Sequence, residues 1–239
     1  MTCFESSEAS RWNMNESPFP DLISAVERSD SADQLLQTTR DLSRALAIHC
    51  QDPTEGPPPS EALSCLVRIL GYNNPGAAVA AVDGLISGGS NAVAVLLGGL
   101  DENNYGARAW AVRALAGIGD VRGLDLLEQA LADDIGPSVR RAAAIGMGTL
   151  KVGHLDPPRR SAVQKRALEA LEKASADSEW VVRYAVAAAL EKLSFGLNPL
   201  EPSRDAAFLI LDTLADIDRE EVPVVRLRAS LALKRLASP

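Results

Sequence analysis

Alanine, leucine and valine recur along most of the chain at helical spacing. Five segments fall into register: AVAAVDGL (Ala78–Leu85), RAWAVRAL (Arg108–Leu115), RRAAAIGM (Arg140–Met147), RYAVAAAL (Arg183–Leu190) and RLRASLAL (Arg226–Leu233). Four open on Arg, and all five end in Leu or Met seven residues later. Apolar residues follow the first position at i+4 and i+7, as in Val112 and Leu115, Ala144 and Met147, and Ala187 and Leu190. That is the stripe of an amphipathic helix. A second amphipathic stretch precedes each segment: SEALSCLVRILG, SNAVAVLLGGL, VRGLDLLEQALAD, RRSAVQKRALEALEKAS and SRDAAFLILDTLADI. A further pair fits upstream, FPDLISAVERSD followed by SADQLLQTTRDLSRALAIH.

Successive segments start 30, 32, 43 and 43 residues apart. Helix pairs at that period predict an all-α fold, an α-solenoid of the HEAT or armadillo kind. About six helical hairpins fit within residues 19–239, with 1–18 as a disordered tail. The longer repeats carry their extra residues in proline-containing loops, VGHLDPPRR and SFGLNPLEP, because proline ends helices. QDPTEGPPPS is a polar insertion between the first two hairpins. Val225, Leu231 and Leu233 give the last helix little sign of a polar cap, which points to a protein partner.

Arg108, Arg140, Arg183 and Arg226 recur in register. Asp101, Asp133, Asp177 and Asp218 precede them by 7, 7, 6 and 8 residues. An acid in the inter-helix turn can cap the second helix and meet the Arg of its own or a neighbouring repeat. These four arginines are therefore expected to form a structural ladder.

Tyr105, Trp110, Arg113, Arg141, Trp180 and Tyr184 fall outside the ladder. Trp110 stands where other repeats have Ala80, Ala142 and Ala185, and Arg113 where they have Asp83, Ile145, Ala188 and Leu231. Three residues apart, Trp110 and Arg113 share a side of their helix. Aromatic residues are 4% of the chain, yet Tyr72, Tyr105, Trp110, Trp180 and Tyr184 all fall at the start of a second helix or in its first turns. Stacked repeats would collect them into a band on or beside the concave surface. Such a band, interleaved with arginine, suits a flat conjugated ligand with carboxylates, or a partner protein. The alternative is that the rings fill gaps among alanines.

Charge narrows the choice. The net charge is −8, with no basic block, which argues against phosphate-driven nucleic-acid binding. Cys3, Cys50 and Cys65, without CxxC spacing, suit reduced thiols in the cytoplasm. No apolar run approaches the roughly 20 residues of a membrane span. The two histidines, His49 and His154, exclude a multi-His metal site. GxSxG, HExxH and GxxxxGK[ST] are absent from the sequence. Cys65 reads as a small core residue, and His49-Cys50 as the border of the proline-rich loop.

GYNNPGAAVAAVDGLI, NYGARAWAVRALAGIGD, SVRRAAAIGMG and EWVVRYAVAAAL resemble the F-type (beta) subunit of the heterodimeric E/F phycobilin lyases of cyanobacteria, a HEAT-repeat family. The resemblance covers Asp21–Leu193. It implies one subunit of an enzyme that joins an open-chain tetrapyrrole, typically phycocyanobilin, to a cysteine of a phycobiliprotein, the phycocyanin α subunit for the phycocyanin enzymes. It implies an E-type (alpha) partner subunit, bilin as substrate, no further cofactor, no metal, no nucleic acid and no membrane insertion. Tyr105, Trp110, Arg113, Arg141, Trp180 and Tyr184 become the candidate bilin- or acceptor-binding residues. The competing reading is a non-catalytic adaptor in phycobilisome assembly or degradation. Isomerising relatives carry a His-Cys motif opening on Asn; Ile48-His49-Cys50-Gln51 matches it in three residues only, so no isomerase activity is carried over.

Overall fold

The computed structural model describes residues 17–52, 54–99, 104–197 and 202–237. Among them run twelve α-helices and no strand. These are α1 (Phe19–Glu27), α2 (Ala32–Gln51), α3 (Ser60–Ile69), α4 (Pro75–Gly88), α5 (Ser90–Gly99) and α6 (Tyr105–Ile118), then α7 (Leu124–Asp133), α8 (Pro137–Gly148), α9 (Pro157–Ala174), α10 (Trp180–Phe195), α11 (Pro202–Ala215) and α12 (Pro223–Ala237). They pair in sequence into six hairpins, as the repeat predicts. Residues 1–16 of the expected tail, with Cys3, lie outside the described residues, as does Asp101.

The helices stack in two rows, with the odd-numbered first helices in one and the even-numbered second helices in the other. One apolar core runs between the rows, and Leu42, Leu66, Leu85, Leu115, Met147 and Leu171 are fully buried in it. Each such side chain contributes about 2 kcal/mol of burial. The second row packs more closely, because its contacts are made by alanine and glycine. A Cβ on Gly148 would lie 2.6 Å from Ala189 Cα, so α8 and α10 touch backbone to backbone. A stack whose rows differ in spacing bends toward the closer row, which puts the second helices on the inner side.

Helix ends follow the local sequence. Asn74 and Asn104 cap α4 and α6 by accepting from the backbone N–H of Ala77 and Ala107, each at 3.0 Å. Their amide nitrogens donate to the Ala32 and Gly71 carbonyls at 2.8 and 3.3 Å, tying each hairpin to the one before. Gly119 ends α6 with φ +70°, and a Cβ there would meet the Thr149 carbonyl oxygen at 2.5 Å.

From the fourth hairpin onward, arginine does the tying. Arg140 Nε and Nη2 donate to the two Asp177 carboxylate oxygens at 2.7 and 2.9 Å, and Nη1 donates to the Asp134 carbonyl at 2.8 Å. Arg183 repeats the arrangement with the Glu220 carboxylate at 2.6 and 2.8 Å and the Asp177 carbonyl at 2.7 Å. Arg108 Nε lies 3.6 Å from the Asp134 carboxylate. Arg226 Nη1 donates to the Glu220 carbonyl at 2.7 Å. The carboxylate on each of Arg108, Arg140 and Arg183 thus comes from the following hairpin.

The acids differ in part from those expected. Asp177 takes its place, but Asp134 replaces Asp133 and Glu220 replaces Asp218. The carboxylate must also accept the backbone N–H two residues on, from Gly136, Glu179 and Val222 at 2.8, 2.9 and 2.9 Å. Only one position in each turn does both, six residues before the Arg.

Two other expectations change. His49 and Cys50 lie in the last turn of α2, not in a loop, because the helix runs on to Gln51, two residues short of Pro53. Val225 is fully buried and Leu233 partly so. Leu231 is exposed as expected, with Val224 and Leu227 also exposed on α12 beside Ser230 and Lys234.

Candidate functional site

On α6, Ala107, Ala111 and Ala114 are buried against the neighbouring helices, at 5%, 0% and 0% exposure. The opposite side carries Gly106, Ala109, Trp110, Arg113 and Gly117, spaced by three or four residues. Trp110 packs half-buried at the rim of the core. Its register partners Ala80, Ala142 and Ala185 are all buried, so the indole spreads over ground that a methyl group fills elsewhere. The Arg113 guanidinium carbon sits 5.0 Å from the Trp110 ring centroid, a cation–π pair.

The next second helix brings Arg141 to the same place. Arg113, Ala116 and Gly117 of α6 face Arg141, Ala142 and Ile145 of α8 across a groove of about 350 Å³, which Thr149 also lines. A Cβ on Gly117 would strike Ile86 of α4 at 2.3 Å, so this glycine lets α6 lie close against α4. Thr149 Oγ1 donates to the Ala116 carbonyl at 2.9 Å and pins the far end of α8 to α6. Among the described residues neither Arg113 nor Arg141 has an ion-pair or hydrogen-bond partner. In a chain of net charge −8 these two cations remain available to an anion from outside.

The six candidate residues therefore separate. Arg113 and Arg141 come together at the groove, and Trp110 stands beside it through its contact with Arg113. Tyr184 holds the register position of Arg141 one helix further on, in α10, and packs partly buried against the core. Tyr105 and Trp180 are the first residues of α6 and α10 and stand at the turn edge, 41% and 44% exposed. Tyr105 belongs with the ladder: Arg108 lies 5.5 Å from its ring centroid, and its hydroxyl takes the space where a Cβ on Gly136 would be. Sequence reasoning missed Gly117, Ile145 and Thr149. The signal for Gly117 was present, four residues after Arg113 on the same stripe.

Among the described residues no thiol lies at the groove, and the Thr149 hydroxyl there is engaged with backbone carbonyls. Cys50 is exposed on α2 and Cys65 is buried in α3. Burial pushes both thiols above the usual cysteine value, so neither is an activated thiolate. Among the described residues no group of three or more His, Cys, Asp or Glu is placed to hold a metal, and no helix is long and apolar enough to cross a membrane. The groove can bind, orient and neutralise; a reacting atom must come from elsewhere.

Residues 63–148 match the HEAT repeats family. Over 90% of its length the chain is 47% identical to the bilin biosynthesis protein RpcF of Synechococcus sp. (strain WH8020), covering 98% of that protein. It is 49% identical to the phycocyanin alpha phycocyanobilin lyase CpcF of Synechocystis sp., over 72% of this chain and 75% of the relative. Among solved structures, the complex of CpcE and CpcF of phycocyanin lyase from Nostoc sp. PCC7120 contains a similar chain, with 41% identity, a TM-score of 0.64, and coverage of 72% of this chain and 97% of that one.

Proposed function

The chain belongs to the family of phycocyanobilin lyase beta subunits, and on that premise we propose that it acts as one subunit of a bilin lyase that attaches phycocyanobilin to a cysteine of the phycocyanin α subunit. It works in the cytoplasm, paired with an E-type (alpha) subunit, needs no further cofactor, and uses the bilin as substrate. The observation that carries this reading is the pair Arg113 and Arg141, two cations on one groove beside Trp110 that have no carboxylate partner among the described residues. A bilin is a flat conjugated chain bearing two propionates, so guanidinium groups meet its carboxylates while the indole and Ile145 wall its rings.

The acceptor supplies the thiol. Its sulfur bonds to the exocyclic ethylidene carbon of the bilin, the thiol proton passes to the tetrapyrrole, and no group leaves. This addition asks no nucleophile of the lyase, in keeping with two thiols held in their protonated form. The contribution of the chain is positioning: it holds the bilin extended and offers one end of it to the acceptor. The groove spans two helices, so it grips part of the bilin and leaves the remainder along the inner row toward Tyr184.

Reconstitution tests this. Purified chain, E-type subunit, phycocyanobilin and apo-phycocyanin α subunit should give acceptor that keeps its bilin after denaturation, at a rate far above that of the same mixture without this chain. Equal attachment in both mixtures would reject the lyase reading and favour the adaptor.

A further inference from the structure

One carboxylate of the inner row has no use in the fold. Asp83 of α4 stands in register with Arg40 of α2 and Arg113 of α6, since Leu42, Leu85 and Leu115 follow them two residues later. All three charged residues are exposed. Among the described residues none of the three makes an ion pair, and no side chain hydrogen-bonds to the Asp83 carboxylate. Where an acid of this row serves the fold, as Glu191 of α10 does, arginine meets it. Among the other helices packed on α4, α5 carries no charge and Arg68 of α3 is paired with Glu27.

Asp83 borders the groove. Gly117 of α6 lies close on Ile86 of α4. Ile86 is about one turn beyond Asp83, as Gly117 is beyond Arg113, so Asp83 and Arg113 are nearly level on adjacent helices. The axes of such helices lie about 8–10 Å apart. Val79 and Ile86, 46% and 36% exposed, flank Asp83 on the same stripe and continue the apolar wall. A ligand lying across both helices meets an anion on α4 and cations on α6 and α8. It must therefore bring hydrogen-bond donors to one and carboxylates to the others.

We propose that Asp83 accepts the N–H groups of one end ring of the bilin and of the pyrrole beside it. This rests on the lyase reading above and fixes how the ligand lies. Along the inner row the order is Asp83, Arg113, Arg141 and Tyr184, on α4, α6, α8 and α10. A linear tetrapyrrole has the same order: an end ring, two rings bearing propionates, and the other end ring. The carboxylate also favours the protonated, cationic form of the tetrapyrrole. That form takes up electron density more readily when the acceptor thiol adds. In the addition the sulfur bonds to the exocyclic carbon, the π pair passes into the conjugated chain, and the thiol proton comes to rest on the tetrapyrrole. Nothing leaves and nothing is oxidised.

The test uses this chain paired with the E-type subunit, phycocyanobilin as probe and apo-phycocyanin α subunit as acceptor. Protonated bilin absorbs at longer wavelength than neutral bilin, so absorbance against pH reads the protonation of the bound ligand. Asp83→Asn should lower the midpoint by about one to three pH units and slow attachment about ten- to a hundred-fold, with the melting temperature unchanged. Asp83→Glu keeps the carboxylate and should keep the wild-type midpoint. Asp205→Asn, at an exposed acid of α11 in the outer row, should match wild type in both readings. A wild-type midpoint in Asp83→Asn would overturn the proposal whatever its rate, and leave the lyase reading intact. A wild-type complex that neither binds nor attaches the bilin would overturn both.

Discussion

The Arg113 guanidinium stacks on the Trp110 indole at 5.0 Å, from one turn further along the same helix. The ring holds the cation at the groove without neutralising it, as a carboxylate would. Trp110→Ala and Arg113→Ala should each cost about 5- to 150-fold in bilin transfer, the range of one lost contact of roughly 1–3 kcal/mol. The double variant should lose less than the product of the two, because the pair acts as a unit. Melting should hold for both, since alanine occupies the Trp110 position in three other repeats. Normal transfer, or loss only in step with melting, would make the pair a packing feature.

Neighbouring arginines should have different fates. Arg140→Ala strands Asp177, whose side chain is only 9% exposed, and should destabilise by about 3 kcal/mol. Arg141→Ala breaks no hydrogen bond or ion pair among the described residues and should stay within about 0.5 kcal/mol of wild type, while lowering bilin transfer. Urea midpoints for the two variants decide it; equal midpoints would remove the ladder as a source of stability.

Acid should weaken the ladder. Burial by itself would raise the Asp177 carboxyl, but the Arg140 hydrogen bonds and the Glu179 N–H outweigh it and hold it below the usual carboxylate range. Arg183 lowers Glu220 in the same way, against a smaller opposing effect of burial. Groups depressed on folding stabilise the chain fully above about pH 5, and that share is lost as the pH falls below about 4. The stability gap between wild type and Arg183→Ala should therefore narrow from pH 7 to pH 3. A gap that stays constant in urea titrations would contradict this.

Two glycine substitutions should have opposite signs. A Cβ on Gly148 meets Ala189 Cα at 2.6 Å and its carbonyl oxygen at 2.7 Å, backbone atoms that yield only if α8 and α10 separate. Gly148→Ala should cost about 1–3 kcal/mol or more. A Cβ on Gly98 meets nothing within 4 Å, so Gly98→Ala in α5 should add about 0.5–1 kcal/mol. Thermal melts of the two variants check the contrast.

Sequence alone determined the helices, their pairing and the outliers. Each helix needs only its own apolar stripe and end residues, and those signals are local: the Ala, Val and Leu periodicity of α6, Asn74 and Asn104 as caps, and Pro137 and Pro223 opening α8 and α12. It also set Trp110 beside Arg113, because three residues span about one helical turn. Tertiary structure decided which residues meet across repeats. Asp134 and Glu220 displaced Asp133 and Asp218 because a carboxylate that serves both its own turn and a neighbouring arginine must sit at one position, which residue spacing does not single out. Arg113 and Arg141 are 28 residues apart in the chain, and only the close approach of α6 to α8, allowed by glycine and alanine on their facing sides, makes them walls of one groove. The same stacking withdrew Tyr105 into the ladder, since a residue's surroundings in a solenoid depend on the helix packed beside it.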